Sequence, residues 1–152
     1  MNKQFEGKVA FISGGTSGLG KATVYELVKR GARVIFVGRD DAKAQEVINK
    51  CKELGVPMED ITKHQNVIDV FGYIRERYGK LDFAGNVAGT GIPSTQIDDT
   101  TDDQIDMMID INLKGLIYCM IEEIKIMREH SFGRIVNIAS GAANIGAPGM
   151  AV

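Results

Sequence analysis

Apolar residues in this chain follow two alternating patterns. The first is a set of short, nearly unbroken apolar runs. These are "KVAFIS" at Lys8–Ser13, "RVIFVG" at Arg33–Gly38, Leu81–Asn86, and "RIVNIA" at Arg134–Ala139. Runs of that length predict strands buried on both faces. The second pattern has a helical period. Leu19–Arg30 carries Leu19, Val24, Leu27 and Val28 on that period and stops at Gly31. Asp41–Leu54 reads as a helix ending at Gly55, and Thr62–Tyr78 as another, with Val67, Val70, Phe71 and Ile74 on one face. Thr101-Asp102-Asp103-Gln104 fits a capping box. It opens a long helix running to about Glu129, with a broad apolar face that includes Ile105, Ile109, Leu113, Ile117, Ile121 and Ile124. Strands alternating with helices of this length predict an α/β fold: a Rossmann-like, doubly wound parallel sheet covered on both faces.

Composition narrows the class without naming a function. The 152 residues amount to one domain, and 44% hydrophobic with 25% charged residues is ordinary for a globular protein with a real core. A net charge of −2 gives no electrostatic case for nucleic acid or for an anionic membrane surface. No stretch approaches the roughly 18 apolar residues of a membrane span, and the first residues lack a signal-peptide pattern. Cys51 and Cys119 have no metal-ligand spacing and fall on helices. Together these favour a reducing cytoplasm. His64 and His130 fall at helix ends, are expected to be solvated, and suggest no metal. Asp98, Asp99, Asp102 and Asp103 suit helix capping better than a cation site.

The candidate chemistry begins at "SGGTSGLG", Ser13–Gly20. The cluster follows a predicted strand and opens a predicted helix. In a doubly wound sheet that is where a pyrophosphate sits on backbone N–H groups at the helix N-terminus. Side chains there would hold the phosphate away, which accounts for Gly14, Gly18 and Gly20, with Gly15, Thr16 and Ser17 between them and Leu19 inside the turn. A purely structural glycine turn is the plain alternative, but the strand–loop–helix context is the one a nucleotide loop requires. The spacing is Gly-x-x-x-Gly-x-Gly, and no Gly-Lys-Ser/Thr follows as in a Walker loop.

This loop resembles that of the short-chain dehydrogenase/reductase family, whose pattern is Thr-Gly-x-x-x-Gly-x-Gly, with Ser13 in place of the threonine. The match continues in order over essentially the whole chain. The resemblance implies a nicotinamide dinucleotide as cofactor. Where an NAD-binding relative would carry an acidic residue at the end of the second strand, this chain has Gly38 followed by Arg39. A guanidinium pairs with a 2′-phosphate that a carboxylate would repel, so NADP is expected rather than NAD. Read without the family, Arg39 is also an ordinary solvated strand-end cation, with Asp40 and Asp41 beside it. "EDIT", Glu59–Thr62, resembles the segment whose Asp contacts the adenine amino group, which assigns Asp60 and the Ile61 backbone. Asp60 alone reads equally as a helix N-cap. Ahead of it, "GVPMED" leaves little room for a further strand, and Pro57 restricts it to an edge, so a stunted or missing strand is expected there. "GNVAG", Gly85–Gly89, resembles Asn-Asn-Ala-Gly and carries over Asn86, Ala88 and Gly89 as residues beside the adenine ribose.

The resemblance also supplies catalytic roles. Asn112 in "INLKG" matches the asparagine that interrupts the helix and holds a water on the proton relay. Ser140 after "RIVNIA" matches the serine that hydrogen-bonds the substrate oxygen. The family's proton donor lies in a Tyr-x-x-x-Lys motif whose tyrosine would fall immediately after Val152, where the sequence stops. Tyr25, Tyr73, Tyr78 and Tyr118 lie on helices and suggest no substitute. Residues 1–152 are therefore expected to form a truncated NAD(P)-binding domain, incomplete at its C-terminal side and inactive alone. Apolar surface should be exposed along the long helix and the "RIVNIA" strand. The whole protein is expected to reduce a small-molecule carbonyl, or oxidise the alcohol, as a homo-oligomer without nucleic-acid or membrane partners. A reading of another class is a non-catalytic dinucleotide-binding or interaction module.

Overall fold

The computed structural model describes residues 3–51 and 60–149. Strands β1 (Val9–Ser13), β2 (Arg33–Val37), β3 (Phe83–Asn86) and β4 (Arg134–Asn137) form one parallel sheet in the order β2-β1-β3-β4. All four lie inside the apolar runs of the sequence. The segment Gly55–Glu59, where a stunted strand was expected, lies outside the described residues.

β1 is the centre of the molecule. All five of its residues are buried, and it pairs with β2 on one side and β3 on the other. Successive side chains of a strand point to opposite faces, so β1 feeds two cores. Val9 and Phe11 pack with Val67, Phe71 and Ile74 of α3 (His64–Tyr78) and with Cys119 and Ile126 of α5 (Leu116–Glu129). Ala10 and Ile12 pack with Val24 of α1 (Gly18–Lys29) and with Ala44 and Val47 of α2 (Asp41–Cys51). β1, β2 and β3 are thus covered on both faces, as continuous apolar runs require, whereas β4 is not: Arg134, Val136 and Asn137 are exposed.

The long helix is not uniform. It runs as α4 (Asp102–Ile109), a π-helical segment Asp110–Gly115, and then α5. The capping box is present: Gln104 N–H donates to Thr101 Oγ1 at 3.3 Å and Thr101 N–H to Gln104 Oε1 at 3.0 Å. The stripe Ile105, Ile109, Leu113, Ile117, Ile121 and Ile124 is exposed, as are Val136 and Ile138 at the β4 edge. This is the apolar surface the sequence led us to expect.

The histidines correct one expectation. His64 is only half-exposed, its ring stacked on Tyr118 at a 4.4 Å centroid separation. His130 is exposed, yet its Nε2 meets the Gly79 carbonyl oxygen. The packing of α3 on α5 brings the first pair together, which neither helix alone announces.

Asp82 fastens the base of the sheet. Its carboxylate accepts from Val9 N–H at 2.9 Å and from the ammonium groups of Lys8 at 2.9 Å and Lys80 at 3.0 Å. Burial alone would raise its pKa. The Val9 N–H and the two lysines outweigh burial and hold the carboxyl below the usual range. A depressed folded-state pKa adds stability above the unfolded value, lost as pH falls through the folded value. Asp82→Asn is expected to cost about 2 kcal/mol at neutral pH, with less loss in acid, measured by denaturant unfolding.

Candidate functional site

The glycine loop is set by backbone packing on three sides. Gly14 has φ +70, and a Cβ there would stand 2.8 Å from the N and Cα of Ala88. Gly15 lies against Phe36, where a Cβ would come within 2.5 Å of the Phe36 Cβ, and its N–H donates to Val37 O at 2.9 Å. A Cβ on Gly20 would overlap the Gly14 carbonyl oxygen. Ser13 completes the wedge: its Oγ accepts from Val87 N–H at 3.1 Å and Ala88 N–H at 3.2 Å. The hydroxyl kept at this position thus ties β1 to the turn after β3.

Above this wedge the N-terminus of α1 is open. Its N-cap residue Ser17 makes no side-chain capping bond, and the first turn carries no acid. First-turn amides of a helix lack intrahelical partners and carry the positive end of the helix dipole, so they form an anion site.

A cavity of about 630 Å³ runs along the carboxyl ends of the strands from this point. Its lining includes Gly14, Thr16, Ser17, Gly18, Leu19 and Gly20 of the loop, Gly38, Arg39, Asp40 and Lys43 after β2, and Asp60, Ile61 and Thr62 ahead of α3. Val87, Ala88, Gly89, Ile111 and Ile138 close the side towards β3 and β4. The position is the switch point, where the chain leaves β1 for β2 on one side and later returns to β3 on the other. A backbone cradle that Cβ atoms would fill, an uncapped helix and a cavity in the ligand-binding size range fit a dinucleotide's phosphates and adenosine.

The charged groups of the lining are engaged differently. Asp40 accepts from Lys43 N–H at 3.0 Å and pairs with the Lys43 ammonium at 3.0 Å. These contacts, the backbone one first, hold its carboxyl below the usual range. Asp40 is thus committed to the start of α2. Arg39 is exposed and forms no ion pair with another described residue. Asp60 is not the N-cap of α3, which is Lys63. Its Oδ1 instead accepts from the Thr62 N–H at 3.0 Å and the Thr62 hydroxyl at 2.8 Å.

Eleven of the sequence-assigned residues meet at this cavity: Gly14, Thr16, Ser17, Gly18, Leu19, Gly20, Arg39, Asp60, Ile61, Ala88 and Gly89. Asn86, Asn112 and Ser140 are not among its lining. Asn86 ends β3 on the same face as Ala84, two residues earlier, so its side chain enters the α5 core. There its Nδ2 donates to Glu123 Oε2 at 3.1 Å and to Asn137 Oδ1 at 2.9 Å. Asn112 lies in the π-helical segment. Its amide clasps the backbone of Thr90, accepting from N–H at 2.9 Å and donating to O at 3.0 Å. Ser140 is exposed beyond β4, its Oγ accepting from Ala142 N–H at 3.1 Å. Tyr25 and Lys29 do repeat a Tyr-x-x-x-Lys spacing within α1, but Tyr25 packs on the Ala10–Val47 core and is not part of the cavity.

Lys43, Thr62, Ile111 and Ile138 line the cavity without having been assigned from sequence. Lys43 was findable: it lies in the first turn of α2, shortly after Arg39. Ile111 and Ile138 depend on long-range packing and leave no local sign.

Comparison with known proteins identifies the family. The short chain dehydrogenase family model matches residues 8–152. A 3beta-hydroxysteroid dehydrogenase of Mediterraneibacter gnavus is 36% identical over 152 residues, covering 97% of this chain and 55% of its own length. An uncharacterized oxidoreductase of Staphylococcus aureus strain MRSA252 is 36% identical over 135 residues, covering 88% and 58%. The crystal structure of gox2181 superposes with a TM-score of 0.88 at 29% identity, covering 93% of this chain and 57% of that one. Fold and cavity define a Rossmann-like α/β protein. Within that class, the chain belongs to the short-chain dehydrogenase family. It spans just over half the length of the relatives it matches. No helix among the described residues is long and apolar enough to cross a membrane.

Glu123 is the buried acid behind the site. It is fully buried, and burial pushes its carboxyl up to about 7 against the opposing Asn86 bond. Burial, and secondarily the nearby Glu123, likewise push the Cys119 thiol up. A raised folded-state pKa means that the folded protein holds the proton more tightly. The stability is therefore fully present below the unfolded value and lost as pH rises through about 7. Glu123→Gln is expected to match wild type near pH 4 and to exceed its stability by about 3 kcal/mol at pH 8. Denaturant titrations at the two pH values check this; an unchanged pH slope in the variant would contradict it.

Proposed function

We propose that this chain binds NADP in the cavity above the glycine loop and that, in its whole protein, it serves reversible hydride transfer between a nicotinamide and a small-molecule carbonyl or alcohol. The observation that carries the cofactor reading is the pair at the end of β2. Gly38 offers no carboxylate for a ribose diol, and the next residue, Arg39, is a cation with no ion-pair partner among the described residues. Lys43 also lines the cavity, but its ammonium is paired with Asp40 at 3.0 Å, which leaves Arg39 as the cation open to a phosphate.

Within that reading the loop amides and the α1 N-terminus take the pyrophosphate, and Asp60 with Ile61 takes the adenine. The cofactor supplies the hydride. Ser140 Oγ already accepts from Ala142 N–H, which leaves its own proton free to donate to a substrate oxygen. Asn112 has its amide engaged with the Thr90 backbone in both directions and with Met108 Sδ at 3.7 Å. It therefore acts as a positioning residue for the Thr90 loop and the adjoining π-helical segment. Among the described residues no tyrosine lines the cavity, so residues 1–152 alone are expected to bind cofactor without turnover. The alternative, a non-catalytic dinucleotide-binding module, is favoured by one feature: Ser140 and Asn112 both lie outside the cavity lining. The cytoplasmic location and homo-oligomeric assembly expected from the sequence belong to the same proposal.

Calorimetric titration tests the cofactor reading. NADPH is expected to bind more tightly than NADH. Arg39→Ala should weaken NADPH by about 2 kcal/mol, roughly thirtyfold, with little change for NADH. Equal affinities in the unmodified chain would defeat it.

A further inference from the structure

We infer that Thr16, together with residue 38, determines which dinucleotide this chain accepts: its side chain fills the space that a side chain at position 38 would need. The inference deepens the cofactor reading above and rests on it. Gly38 is not a glycine for conformational reasons. Its φ lies outside the left-handed region, so the backbone there would accept any residue. What excludes a side chain is Thr16. A Cβ built on Gly38 would stand 2.5 Å from both Cγ2 and Oγ1 of Thr16 and 3.0 Å from its Cβ. Favourable contact between carbons begins at about 3.5 Å.

Thr16 has little freedom to move aside. It is 6% exposed, and a β-branched side chain is stiff at χ1. The residue before it, Gly15, is fixed by its bond to Val37 O and its contact with Phe36. Position 38 is where an NAD-type site would place the carboxylate that binds the ribose hydroxyls. With Thr16 present, that carboxylate has no room, whatever the charge at Arg39. Thr16 thus acts by exclusion and Arg39 by attraction, and the two favour the same cofactor for different reasons.

The test is a double-mutant cycle at residues 16 and 38, with binding of NADH and NADPH measured by calorimetry and folding by thermal melting. Gly38→Asp alone is expected to weaken both cofactors at least about tenfold, because the loop is displaced. Adding Thr16→Ala, which removes Oγ1 and Cγ2, is expected to restore NADH binding at least about tenfold over Gly38→Asp. A second pair separates crowding from charge. Gly38→Ala should weaken NADPH, and Thr16→Ala/Gly38→Ala should recover it. If a position-38 variant folds poorly, the same recovery is read from its melting temperature. The inference is overturned if Gly38→Asp binds NADH as tightly as the double variant, or if Gly38→Ala binds NADPH and melts as the unmodified chain does. Failure of the Arg39 reading is seen separately, in the NADPH and NADH affinities of the unmodified chain.

Discussion

The structure depends on one close crossing of backbone: the Gly14 carbonyl passing Gly20 at the start of α1. No Cβ fits between them. That approach lets the chain turn directly from the central strand into a helix, aims the helix N-terminus across the sheet's carboxyl edge, and leaves no side chain at Gly14, Gly18 and Gly20. Ser13 and Gly14 extend the constraint to the turn after β3, and Gly15 extends it to β2. The three strands that border the cavity are therefore held in register by the loop that serves it. Substitution of any of these glycines acts on fold and site at once.

Around this crossing the molecule divides its charges by task. Asp82 is buried and ionised because an N–H and two ammonium groups surround it, and it fastens the amino-terminal edge of the sheet. Glu123 is buried with one hydrogen-bond donor, Asn86 Nδ2, and burial pushes its carboxyl up to about 7 instead. Asp40 neutralises Lys43, which leaves Arg39 as the exposed cation of the cavity. Similar carboxylates thus differ in protonation according to how many donors the fold brings to each.

Much of this was legible in the sequence, for identifiable reasons. Continuous apolar runs marked the strands, and the glycine spacing with its strand–helix context marked the cradle. Asn112 signalled a break in a long helix, and the π-helical segment Asp110–Gly115 is that break. Other features were not legible. The side of the sheet that Asn86 faces follows from strand phase together with the position of α5, a long-range fact. The stacking of His64 on Tyr118 joins residues far apart in sequence. The exclusion of a side chain at position 38 is visible only once Thr16 is placed in three dimensions. Ser140 is named by family pattern, and its geometry here, exposed at the end of the β4 edge, does not by itself indicate catalysis.

The central claim is that the glycine loop and the α1 N-terminus receive the phosphates of a dinucleotide. Amide chemical shifts of the isotopically labelled chain, followed as NADP is added, test it most directly. The account predicts saturable shifts at Gly14–Gly20, at Arg39 and at Asp60–Thr62, with the exposed face of α5 unmoved. Saturable binding whose shifts map away from Gly14–Gly20 would contradict it.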